Sequence, residues 1–188
     1  MLIRYRGSVL GWVWSYIKPA AQFAVYYIAV GEFLKLNQSM PNFAVYLFSG
    51  LVLINLFNEA FSNSTKAVVD NSALVKKVYL PRELFPVASS IIAVVNFLPQ
   101  LIVLLVVCGF LGWHPSFVQV LCIVLGVLII VILSLGLGLL FGAINVALRD
   151  AQNIVDMILL FSTWLSPILY NVKLVEEALG PIGLVIYN

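Results

Sequence analysis

Charge is what this sequence has least of. Asp, Glu, Lys and Arg make up 10% of its 188 residues, and none of them occurs in the 65 positions from Leu84 to Leu148. A water-facing surface needs charge, so this stretch excludes a soluble domain. Cysteine is scarce as well: Cys108 and Cys122 both sit in apolar runs and read as packing residues. With one histidine, His114, no metal site can be assembled. No cleavable signal peptide is visible, because Arg4 and Arg6 precede a segment too polar and too rich in Trp. Nor is there a G-x-x-x-x-G-K-[ST] phosphate loop, so any nucleotide energy has to come from another polypeptide.

What remains is apolar. Hydrophobic residues reach 63% and the mean hydropathy is +1.09. A bilayer core takes about 20 apolar residues per helix. The uncharged stretch, broken only by Gly112-Trp113-His114-Pro115, therefore predicts two spanning helices joined by a tight turn. Lipid supplies no hydrogen bonds, so the chain must span as helices or as a closed barrel. The long unbroken runs select helices over the short alternating strands of a barrel. An all-α polytopic bundle of five spans is predicted, over Pro19–Leu34, Phe43–Phe61, Val87–Leu111, Phe117–Ala147 and Ile154–Tyr170. Val172–Gly183 is too short and polar to span.

The cations orient the bundle. Arg4, Arg6, Lys18, Lys66, Lys76, Lys77, Arg82 and Arg149 fall on the amino-terminal side, against Lys35 and Lys173 on the other. By the positive-inside rule the N-terminus is expected in the cytoplasm. Met1–Lys18 mixes Arg4 and Arg6 with Trp12, Trp14 and Tyr16, which suits a helix lying in the headgroup layer, or simply a flank of the first span.

Three sets of residues are candidates for function. In the link after the second span, Leu74, Val75, Val78 and Tyr79 recur at helical spacing before Pro81, flanked by Lys76, Lys77 and Arg82. A short amphipathic helix there needs lipid headgroups or a soluble partner to dock on; the plainer reading makes its cations topology determinants. Tyr26, Tyr27 and Trp164 offer apolar faces and polar edges suited to stacking on sugar rings, unless they belong to an interfacial aromatic belt. Asn55, Asn58, Glu59 and Asp156 place polar groups near membrane depth, as a gating element or as ion-paired residues. Ser134, Gly136, Gly138, Gly142 and Ala143 form a small-residue face fit for close packing within the bundle or, less readily, a dimer seam.

Several of these segments carry a resemblance. Arg4-Tyr5-Arg6-Gly7-Ser8-Val9-Leu10-Gly11-Trp12-Val13-Trp14, then Leu74-Val75-Lys76-Lys77-Val78-Tyr79-Leu80-Pro81-Arg82-Glu83, then Asn145-Val146-Ala147-Leu148-Arg149-Asp150 resemble ABC-2 type polysaccharide export permeases. Leu165-Ser166-Pro167-Ile168-Leu169-Tyr170 looks like the end of that family's fifth span. The branch is the O-antigen, teichoic acid and galactan exporters.

The resemblance implies a single transmembrane domain over residues 1–188, with an interfacial segment at 1–18, five spans over 19–170 and an outer amphiphilic segment at 171–188. The family's sixth span is expected beyond the last residue given. It implies a non-enzymatic, multi-pass permease of the inner (plasma) membrane that forms a homodimer. Its partners would be a separate ATPase holding ATP and Mg, and a lipid-linked polysaccharide; nucleic acid has no part, and the chain itself holds no cofactor. The coupling helix of such permeases maps onto about Asn71–Pro81, hence Leu74, Val75, Lys76, Lys77, Val78, Tyr79 and Arg82. A permease for small hydrophobic drugs would share the topology, but the Arg4–Ser8 motif argues against it. A scaffold or enzyme of glycan synthesis would need catalytic residues that the loops do not offer.

Overall fold

The computed structural model describes residues 14–33, 43–77, 79–110 and 116–166. Within them the chain is helical and has no strand, as the apolar runs require. Helix α1 spans Trp14–Tyr26 and continues as a π-helical stretch, Tyr27–Phe33. Helix α2 is Phe43–Asp70, α3 the single turn Ser72–Val75, α4 Leu84–Phe110, α5 Phe117–Ala147 and α6 Ala151–Leu165. Three of these, α2, α4 and α5, are long and apolar enough to cross a bilayer. The first and fifth expected spans are present as shorter apolar helices, Ala20–Ala29 and Ala151–Leu165.

Helix boundaries follow local chemistry. Ser116 opens α5 with a capping box: Gln119 Oε1 accepts the Ser116 N–H at 2.9 Å. Pro86 sits in the first turn of α4, where its missing N–H would have no intrahelical partner anyway. The helices run past the span limits expected from the sequence. Helix α1 begins at Trp14, ahead of the span expected from Pro19. The helix that carries the second expected span, Phe43–Phe61, continues to Asp70. At 1.5 Å per residue, 28 residues reach about 42 Å, longer than a ~30 Å hydrocarbon core, so one end projects.

Helix α2 is the axis of the bundle, with α4, α5 and α6 packed around it and α1 against its first half. Three apolar clusters run down its length. Phe43, Leu47 and Leu51 meet Phe23, Tyr26 and Tyr27 of α1. Val52, Leu56 and Ala60 meet Ala93 and Phe97 of α4. Phe61 meets Val155 and Leu159 of α6, and Phe141 of α5 stacks edge-on against it at 5.6 Å.

Helix α5 behaves differently. Its buried residues are all small or polar: Ser134, Gly138, Gly142 and Asn145, spaced by four, four and three on one stripe. Gly138 abuts Ser64, and Gly142 lies on the Ser64 and Thr65 carbonyls. The small-residue face is thus an intrachain seam that lets two backbones approach closely. Gly136 and Ala143 lie off it, Gly136 in open space and Ala143 exposed.

Candidate functional site

Polar side chains gather along the face of α2 turned to α1 and α6. Asn55 Nδ2 donates to Gln22 Oε1 at 3.1 Å, and Asn58 Nδ2 to Thr163 Oγ1 at 3.2 Å. One turn further along, Ser62 Oγ donates to Asp156 Oδ1 at 3.2 Å, and Lys66 Nζ reaches both Asp156 oxygens at 3.0 and 2.9 Å. These residues recur every three or four positions on α2, so helix geometry alone aligns them. Hydrocarbon offers them no alternative partners, which favours pairing between helices. Among the described residues the Asn58 Oδ1 is buried with no hydrogen-bond partner.

Aromatic rings frame the same face. Tyr26 and Trp164 meet edge to face, centroids 6.4 Å apart and planes at 77°. Trp164 keeps more than half its surface free. Tyr27 turns elsewhere, with Phe43 at 6.4 Å and Phe23 at 5.8 Å, inside the first apolar cluster. The three aromatics singled out in the sequence therefore occupy two places. Glu59 lies on another side of α2, where its Oε1 accepts Asn96 Nδ2 of α4 at 2.7 Å.

From Asp70 onward the chain leaves the bundle. Asn71 Nδ2 donates to Ala67 O at 2.8 Å, binding the start of the link to the last turn of α2. The link's helix covers only Ser72–Val75, shorter than the turn and a half that the spacing of Leu74 to Tyr79 predicts. It buries none of its residues. Leu74 and Leu80 stand nearly half exposed, and Tyr79 is fully exposed. Lys76, Lys77 and Arg82 are exposed beside them. Val78, Arg4, Arg6 and Trp12 lie outside the described residues, and Trp14 opens α1.

Sequence reasoning missed the role of Asn145. Its side chain is fully buried. Its Nδ2 donates to Thr65 O at 3.4 Å, and its Oδ1 accepts the Gln152 N–H at 3.2 Å. Gln152 lies in the first turn of α6, where backbone N–H groups have no intrahelical acceptor. Asp150, at the N-cap, makes no side-chain cap bond there. Asn145 thus caps α6 from a neighbouring helix. The available signal was its place three residues after Gly142 on the small-residue stripe. Lys66 was read as a topology determinant; its spacing of four from Ser62 was the clue to a shared partner.

These features match known proteins along nearly the whole chain. The sequence is 31% identical over 174 residues to the O-antigen export system permease protein RfbA of Myxococcus xanthus, covering 93% of this chain and 66% of that protein. It is 28% identical over 175 residues to the Klebsiella pneumoniae protein of that name, covering 93% and 67%. The polysialic acid transport protein KpsM of Escherichia coli is 23% identical over 154 residues, covering 80% and 58%. The chain thus spans about two thirds of the length of the O-antigen relatives it matches. The profile of the ABC-2 type transporter family covers residues 1–186. An all-helical bundle around a long apolar α2, aligned from end to end with that profile, places the chain in the ABC-2 type transporter family.

Proposed function

We propose that the chain is the permease subunit of an ATP-driven exporter that carries a lipid-linked cell-envelope polysaccharide out of the cytoplasm. The observation that carries the reading is the alignment of 93% of the chain with O-antigen export permeases. The permease works as a homodimer in the inner membrane with its N-terminus in the cytoplasm, the orientation favoured by eight cations against two. Lys66, Lys76, Lys77, Arg82 and Arg149 then face the cytoplasm.

Energy enters through the link. The chain has no phosphate loop, so ATP and Mg belong to a separate subunit. Among the described residues Tyr79 stands fully exposed and Leu74 and Leu80 nearly half exposed, an apolar surface that a groove on a partner could cover. Covering each is worth roughly 1.5–3 kcal/mol, while Lys76 and Lys77 set orientation more than affinity. The glycan passes along the α1–α6 face, where Tyr26 and Trp164 offer ring surface to sugar C–H groups, while Asn58 and Thr163 bond each other and hold the two helices on either side. Neither ring carries a fixed charge to trap the polymer.

The test is co-purification. Leu74→Asp with Tyr79→Asp should abolish binding of the ATPase and stimulation of its ATP hydrolysis, with membrane insertion intact. A double variant that still binds and stimulates would make the link a lipid-surface element and remove the energy-coupling assignment.

A further inference from the structure

We infer that Asn145 and the Lys66–Asp156 pair are positioning residues through which displacement of the α2–α4 link moves α6. The inference rests on the exporter reading above, since it concerns how the chain uses force applied at the link.

The link is attached to α2 by more than the backbone. Asn71 donates both its backbone N–H, at 3.3 Å, and its side-chain Nδ2, at 2.8 Å, to Ala67 O. A push on the link therefore acts on the last turns of α2. Those turns hold α6 at two points. At one, Asp156 receives Ser62 and both contacts of Lys66. At the other, Asn145 joins Thr65 O of α2 to Gln152 N–H of α6. The apolar contact of Phe61 with Val155 and Leu159 joins the same two helices. Apolar surfaces are non-directional and do not by themselves fix a helix in register. Hydrogen bonds with defined donors and acceptors do.

Solvent access separates the two points. Asn145 is fully buried, whereas the Lys66 and Asp156 side chains keep 28% and 50% of their surface. A partly solvated pair of this kind contributes little to stability. Its geometry, with two close contacts to one carboxylate, suits it to direct where α6 goes.

The other end of α6 is where motion would matter. Thr163 and Trp164 meet Asn58 and Tyr26 there. Helix α6 is one continuous element from its first turn to Trp164, so a shift imposed near Asp156 is carried along it to the contacts of Thr163 with Asn58 and of Trp164 with Tyr26. Link, last turns of α2 and α6 form one continuous mechanical route.

The test uses the complete permease with its ATPase in sealed membrane vesicles, reading polymer exported per ATP hydrolysed. Lys66→Glu and Asp156→Lys should each assemble and hydrolyse ATP, yet lower that ratio roughly 2- to 30-fold. Combining them restores the pair with its charges exchanged and should recover most of the ratio. Asn145→Leu should lower it independently of the charge pair. If a charge reversal fails to accumulate in the membrane, Asp156→Asn carries the test with the same expected loss. An unchanged ratio in the single variants, or no recovery in the exchange, overturns the joint while leaving the exporter reading intact. A wild-type assembly that binds no ATPase or exports no polymer overturns the exporter reading and the joint with it.

Discussion

Gly138 and Ser64 stand so close that a Cβ on the glycine would overlap the serine Cβ. Ser64 cannot swing away freely, because its hydroxyl donates to Pro86 O at 3.1 Å and lies 2.9 Å from Ser90 Oγ. The α2–α5 contact is therefore fixed from the far side by α4. Gly138→Ala should destabilise the bundle by about 1–3 kcal/mol, the cost of overpacking a close contact. Gly136→Ala, which meets open space, should be neutral. Unfolding in mixed micelles followed by circular dichroism distinguishes them; equal loss in both variants would remove the seam.

The turn between α4 and α5 should face the outside. In a chain whose Cys108 and Cys122 are replaced by Ala, His114→Cys should react with a membrane-impermeant thiol reagent in intact cells. Labelling that appears only after lysis would invert the topology drawn from the positive-inside rule.

The aromatic residues should separate into two behaviours. Tyr26→Ala and Trp164→Ala should slow export of long glycan while leaving assembly with the ATPase intact. Tyr27→Ala, whose ring rests on Phe23 and Phe43, should leave glycan export per assembled complex unchanged; both tyrosines pack partly buried on that cluster, so either alanine should cost about 1–3 kcal/mol of stability. Glycan export and thermal midpoints measured on the same three variants give the comparison. Normal export in the Tyr26 and Trp164 variants would make both rings plain packing residues.

The helices of this chain were legible because apolar length is a long-range signal that survives local ambiguity. Phe117–Ala147 is the predicted fourth span and the observed α5 alike. The end of α2 was not legible, because Ser62, Asn63 and Lys66 look like a loop when counted as polar. Within that helical segment Ser62 and Lys66 bond Asp156 of α6, and Ser64 between them bonds Pro86 O of α4. The candidate site was half legible. Aromatic type and acid placement drew attention to Tyr26, Trp164, Asn58 and Asp156. Gln22, Thr163 and Lys66, the partners of Asn55, Asn58 and Asp156, come from sequence separations of 33, 105 and 90, which no local pattern encodes. Asn145 stood in the sequence as the first residue of the Asn145–Asp150 motif, but its role in joining Thr65 of α2 to Gln152 of α6 depends on two helices that its own segment does not encode.

Away from its buried stripe and the flanking Val127, Ile130, Val131, Leu137 and Phe141, α5 turns outward an exposed arc that includes Val118, Leu121, Leu125, Ile129 and Ile132. Substitution there meets a fluid rather than a mould. Leu, Ile, Val and Phe should be interchangeable around that outer arc, while a single added methyl on the inner stripe is felt by α2 at once. One helix thus carries two grammars, a permissive one written for oil and an exacting one written for a neighbouring backbone. A saturation scan of α5 should recover the stripe from tolerance alone.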